Sequence, residues 1–175
     1  LIKTHNFNML FYRSLGINNA VIYQAFQQGV QSMSGTTFYS MRHLIDACLE
    51  AGINEIYIVR GYLAEQFDQL LYKYPMIKFL ENPIYNEANN ISSAYLVRDL
   101  LQNAYISEAD LLLHNQVFDK YVFQSCYLGI PTDETDDWYF KTDDRGILCE
   151  LGIGNKDCYR MLGISYWDRE DGAKL

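Results

Sequence analysis

"INEIYIVRGYLAEQFDQLLYKYPMIKFLENP", residues 53–83, decides how this chain folds. Its opening "INEIYIVRG" is rich in β-branched and aromatic residues and reads as a strand closed by Gly61. In "YLAEQFDQLLYKYP" the apolar Phe67, Leu70, Leu71 and Tyr74 share one helical face, and Pro75 stops the run. "MIKFLENP" reads as the next strand, ended by Pro83. Strand, helix and strand with short connections imply parallel pairing through a right-handed crossover.

The same rhythm extends outward. Upstream, "NNAVIYQAF" (18–26) suits a buried strand, and "QQGVQSMSGTT" (27–37) is polar enough for a loop. Met41, Leu44, Ile45, Cys48 and Leu49 then form the stripe of a helix that Gly52 ends. Downstream, "NEANNISSAYLVRDLL" (86–101) leads into a helix through about residue 102, and "AYISEADLLL" (104–113) supplies a fourth strand. Beyond Asn115, "KYVFQSCYLGIP", "DDWYFKTDDRGILCELGIG" and "CYRMLGISYW" read as strands separated by turns, with "DDRG" a hairpin turn. "YWDREDGAKL" starts a last helix with Asp168 as its cap. The expected fold is α/β: a Rossmann-like, mostly parallel sheet flanked by helices, with an added antiparallel section in the C-terminal third. Residues 1–18 read as a lead of unassigned role and 19–175 as one domain, whose abrupt end suggests an incomplete chain.

Composition narrows the function. The chain has 175 residues, 49% hydrophobic, enough for one substantial core. A formal net charge of -8 disfavours binding to nucleic acid or an anionic membrane surface, because both are polyanions. No apolar run reaches the ~20 residues that span a bilayer, and "LIKTHNFNML" lacks the layout of a secretory signal, so no membrane insertion and a cytoplasmic location are expected. Cys48, Cys126, Cys149 and Cys158 form no C-x-x-C pair and read as reduced, mostly buried thiols. His5, His43 and His114 lack ligand spacing, which argues against zinc.

Three stretches carry candidate chemistry. In open α/β sheets ligands bind beyond the carboxyl ends of the strands. "NNISS" stands there, and Asn89, Asn90, Ser92 and Ser93 offer groups that suit a base edge or a ribose hydroxyl; plain helix capping is the alternative. "SEAD" (107–110) ends the fourth strand, so Asp110, with Glu108 on the same strand face, would meet that crevice. One well-placed carboxylate suffices for a magnesium ion that rides on phosphates; a capping Asp is the alternative. In "TDETDDWYF" (132–140), Trp138 and Tyr139 beside Asp136 and Asp137 suit a quaternary ammonium, with Tyr166 and Trp167 as a second wall; a strand filling core beside a solvated loop is the alternative.

Taken together, "IDACLEAGINEIYIVRGYLAEQFDQL", "ENPIYNEANNISSAYLVRDLL", "SEAD" and "GISYWD" resemble the phosphocholine cytidylyltransferases of the nucleotidyltransferase superfamily. The resemblance implies an enzyme that joins CTP, or a related nucleotide, to phosphocholine or a similar small phosphorylated acceptor with Mg2+, releasing pyrophosphate. It places Asn89, Asn90 and Ser92 at the nucleotide, Asp110 at the metal as the catalytic residue, and Trp138 and Tyr139 at the choline head. A sugar-1-phosphate nucleotidyltransferase, or a noncatalytic nucleotide-binding or regulatory relative, are the alternatives. The family's glycine-rich loop after the first strand is not recognisable: Gly29 stands there, with no Lys or Arg between that strand and Arg42.

Overall fold

The computed structural model describes residues 19–23, 35–88 and 91–175. The lead, residues 24–34 after the first strand, which include most of the stretch expected to be a loop, and Asn89 and Asn90 lie outside the described residues.

The first strand, β1 (Asn19–Tyr23), is followed by α1 (Gly35–Glu50), β2 (Glu55–Arg60) and β3 (Lys78–Glu81). Met41, Leu44, Ile45 and Cys48 of α1 are all fully buried, as their spacing requires. The helix begins earlier than the sequence suggests, taking in Gly35–Thr37, because apolar periodicity starts only at Met41. Between β2 and β3 the expected α-helix is a 3-10 helix, Ala64–Tyr72. It starts from Leu63 in a left-handed conformation with no side-chain cap. Winding at three residues per turn brings Phe67 and Leu70 into line on the core and rotates Leu71 outward, where it is 39% exposed. The shared face expected for all four apolar residues is corrected accordingly.

Past β3 come α2 (Ile91–Leu96), a short 3-10 turn (Arg98–Leu100) and β4 (Ala104–Glu108). The helix expected through about residue 102 is thus a turn and a half, which leaves its dipole small. The three expected C-terminal strands are in fact two long ones, β5 (Cys126–Thr142) and β6 (Leu148–Trp167), before the single-turn α3 (Arg169–Gly172). Asp168 caps α3, its Oδ1 accepting from the Asp171 amide at 2.8 Å. The "DDRG" turn closes the β5–β6 hairpin as expected: Gly146 N–H donates to the Asp143 carbonyl, and Asp143 Oδ1 accepts from the amides of Arg145 and Ile147.

The sheet order is β3-β2-β1-β4-β6-β5. The first four strands are parallel, and β4–β6 and β6–β5 are antiparallel. From β1 the chain builds outward through β2 and β3, then returns to place β4 on the other flank of β1. Strand order therefore reverses between β1 and β4, where α/β sheets open their crevice. The fold is α/β with a mixed sheet.

The hairpin does not run straight. Tyr139 and Phe140 pair twice: with Gly152 and Leu151 across the hairpin, and with Arg160 and Tyr159 on their other side. Because Arg160 and Tyr159 also pair with Ile130 and Pro131, the outer half of the hairpin has folded back beside its own stem. Ladder breaks near Asp136 and Asp137, and positive φ at Gly154 (70°) and Asp157 (49°), supply the bends. The Phe140 ring is fully buried, stacked on Tyr159 with centroids 5.3 Å apart.

All four cysteines are free: Cys48 and Cys158 are buried, Cys126 is half-buried and Cys149 is exposed. Burial pushes the Cys48 thiol up to about 12 and the Cys126 thiol up to about 11. A thiol reacts as its thiolate, so at pH 8 a disulfide reagent should label Cys149 fast and the other three only in denaturant. Rapid labelling of more than one thiol in the native protein, counted by mass spectrometry, would contradict this packing.

Candidate active site at the carboxyl edge

Asp110 lies two residues beyond the last residue of β4, on the flank of the crevice between β1 and β4. Its neighbour Ala109 is buried, and the Ala109 carbonyl accepts from Ser40 Oγ of α1 at 2.7 Å. That bond fixes the backbone while the Asp110 side chain stays exposed. Among the described residues it takes part in no ion pair or side-chain hydrogen bond. No group of three or more His, Cys, Asp or Glu that would hold a metal occurs among the described residues. A cation here would bring most of its coordination with it, and that donor set fits magnesium carried on phosphates.

Glu108, the last residue of β4, turns sideways instead. Its carboxylate lies over Gly163 of β6, where an added Cβ would come within 2.6 Å of it, and Gly163 has φ +76°. A side chain at 163 is thus strained by the backbone conformation, and it would also displace the Glu108 carboxylate. Tyr127 of β5 stands in the same corner; burial first, then the Glu108 charge, pushes its phenol up to about 12.

Of "NNISS", the described Ser92 and Ser93 sit at the other end of the edge. Ser92 and Ser93 are buried, and both hydroxyls accept from Asn82 Nδ2, at 2.9 and 3.1 Å. Asn82 directly follows β3, is itself 5% exposed, and accepts from the Ile84 amide through Oδ1 at 3.2 Å. Asn82, Ser93, Val59, Gly61, Tyr62 and Tyr85 line a small cleft there. Arg60 also borders it but is not available to a phosphate. Its guanidinium holds Asp68 at 2.5 Å and Glu81 at 2.7 Å, donates to the Ala64 carbonyl, and lies 3.9 Å over the Phe79 ring. Asn82 escaped the sequence reading, which took "ENP" only as the end of a strand, although an Asn directly before Pro is a turn signal in its own right.

The cleft opens at β3 and β2, and Asp110 follows β4. Three inter-strand spacings of about 4.8 Å separate β3 from β4, so roughly 14 Å lies between the two ends.

The aromatic candidates are split apart. Trp138 is 50% exposed on β5, opposite Ile153. Tyr139, 7% exposed, is adjacent in the strand and so points to the other face, where its hydroxyl donates to Glu150 Oε1 at 2.6 Å. The expected second wall is overturned. Tyr166 is buried against Tyr105, and Trp167 pairs with Ala104, both at the amino end of β4 and away from the crevice. Because β6 runs antiparallel to β4, its residues before Ile164 rise past the carboxyl edge, carrying the folded hairpin with them.

Comparison with known proteins agrees with this architecture. No family model matches the chain. It is 36% identical over 165 residues to the 2-aminoethylphosphonate cytidylyltransferase of Lancefieldella rimae, covering 92% of this chain and 66% of that protein. It is 32% identical over 136 residues to the choline-phosphate cytidylyltransferase of Streptococcus pneumoniae, covering 77% of this chain and 59% of that protein. The solved CTP:phosphocholine cytidylyltransferase of Streptococcus pneumoniae superposes with a TM-score of 0.78 at 28% identity, over 90% of this chain and 74% of that one. The chain belongs to the nucleotidyltransferase superfamily, among its phosphocholine cytidylyltransferase-like members. It spans about three fifths to two thirds of the length of these two curated relatives.

Proposed function

We propose that this chain is the nucleotide-binding part of a cytidylyltransferase, that its parallel strands form a Rossmann-like unit, and that it moves CMP from CTP to a small acceptor with a cationic head. The observation that carries the reading is the exposed Asp110 carboxylate at the β1–β4 reversal, uncommitted among the described residues. A nucleoside triphosphate laid along the edge would reach from the cleft at β3 to Asp110 at β4. Asn89, Asn90 and Ser92 are assigned to the nucleoside end, with Ser92 acting through its place in the wall, since its hydroxyl is already bonded. Asp110 is assigned to Mg2+, which when bound would neutralise charge on the phosphates.

In the reaction an oxygen of the acceptor's phosphate or phosphonate attacks the α-phosphorus of CTP. The bond to the bridging oxygen breaks, and pyrophosphate leaves with the electron pair. No protein nucleophile is required; positioning and charge neutralisation lower the barrier. Trp138 offers an aromatic face to the acceptor's cation, whereas Tyr139 shapes the hairpin from the opposite side.

Phosphocholine and 2-aminoethylphosphonate are the acceptors named by the two relatives described above, and both join an anionic phosphorus group to a cationic nitrogen. Pyrophosphate release should be measured with CTP and Mg2+ against phosphocholine, 2-aminoethylphosphonate and a hexose 1-phosphate. Turnover is expected with one of the two zwitterions and its loss with EDTA. Turnover with the hexose phosphate alone would move the chain to sugar activation, and none with any acceptor would remove the catalytic reading.

A further inference from the structure

We infer that Asn82 is the positioning residue of the nucleotide wall, tying Ser92, Ser93 and, through Ser92, Ala88 to the end of the sheet. The inference rests on the function proposed above and adds a residue to it. One buried amide reaches three groups: Nδ2 donates to Ser92 Oγ and Ser93 Oγ, and Oδ1 accepts from the Ile84 amide. Its own backbone N–H donates to the Arg60 carbonyl at 2.8 Å, so the brace is anchored in β2. Ser92 extends it, donating to the Ala88 carbonyl at 3.4 Å. Residue 88, on one side of the asparagine pair, and residues 92 and 93, on the other, are therefore tied through one side chain to the end of the sheet.

The paired serines take their meaning from this. Two adjacent helical residues point about 100° apart, so a single partner reaches both hydroxyls only from a position between them. Asn82 occupies that position and is long enough to bridge, with one face lining the cleft. Removing the amide leaves two buried hydroxyls and the Ile84 N–H without this partner, which loosens the segment even where the sheet is intact.

The test uses the full chain with Asn82→Ala, the double variant Ser92→Ala/Ser93→Ala, and the triple variant. Hydrogen–deuterium exchange should accelerate in Asn82→Ala at the amides of 84 and 91–96 and stay unchanged in β1, β2 and β4. The Kd for CTP with Mg2+, read by calorimetry, should rise about tenfold or more, while acceptor KM and kcat stay within about threefold. The triple variant should bind CTP no worse than Asn82→Ala, because the groups act as one unit. Unaltered exchange, an unaltered Kd, or equal changes in nucleotide and acceptor constants would each overturn the inference. A wild-type chain that binds CTP without transferring it fails the catalytic reading and leaves the brace to be decided by exchange and Kd. A wild-type chain that binds no CTP overturns both the function and the nucleotide role of Asn82.

Discussion

Asp110→Ala should reduce cytidylyl transfer by about a thousandfold or more, a loss of ~4 kcal/mol in transition-state stabilisation, with melting temperature and circular dichroism unchanged. The large effect on activity follows from the carboxylate's isolation. No neighbouring side chain among the described residues shares its work, so nothing stands ready to replace it. The small effect on stability follows from the same fact: an exposed group with no partner among the described residues contributes little to the fold, within about 0.5 kcal/mol. Asp110→Asn keeps the shape and removes the charge, so it should lose nearly as much. Pyrophosphate release at saturating CTP separates these outcomes. Turnover within about tenfold of wild type, ~1.4 kcal/mol, would remove Asp110 from the chemistry.

Phe140→Ala should have the largest effect on stability, about 3–5 kcal/mol, measured as a fall in the urea midpoint. The ring is fully buried where the hairpin folds on itself, between Tyr159 at 5.3 Å and Tyr127 at 6.3 Å. Gly129 makes the room: a Cβ there would stand 2.5 Å from the ring's far carbon. Truncating the ring leaves a cavity under the second ladder, so exchange should also speed up at Tyr159 and Arg160 ahead of the stem. Gly129→Val attacks the same contact from the other side and should act in the same direction. A loss below about 1 kcal/mol would mean that the backbone ladder, and not the ring, holds the fold-back.

Much of the parallel half was legible from residues 53–83 and their neighbours because its signals are local. β-branched runs, apolar spacing and the stops at Gly52, Pro75 and Pro83 each act within a few residues. The 3-10 winding of Ala64–Tyr72 was not legible, since spacings of three and four fit either helix and only Leu71 turning outward tells them apart. The doubled hairpin escaped for a different reason. Pairing Tyr139 and Phe140 with two stretches of β6 is a tertiary event that local composition does not encode. At the candidate site, the place of Asp110 just beyond β4 could be read because a strand's end is itself a signal. The inward turn of Ser92 and Ser93 could not, because it depends on how α2 is rotated against Asn82. The Trp138 and Tyr139 pair looked like one feature in the sequence, and strand alternation divides it between two surfaces.

The central position of β1 bears on how the molecule is made. Its backbone pairs on one side with Glu55–Val59 and on the other with Ala104–Glu108. A ribosome delivers β1 before either neighbour, so during synthesis one side of its amides and carbonyls waits for β2 and the other stays open until β4 has emerged. Such distant pairing slows folding and leaves an apolar strand as bait for other nascent chains in the interval. Production in a heterologous host should accordingly improve on cooling or with added chaperone, more than the stability of the finished protein would suggest.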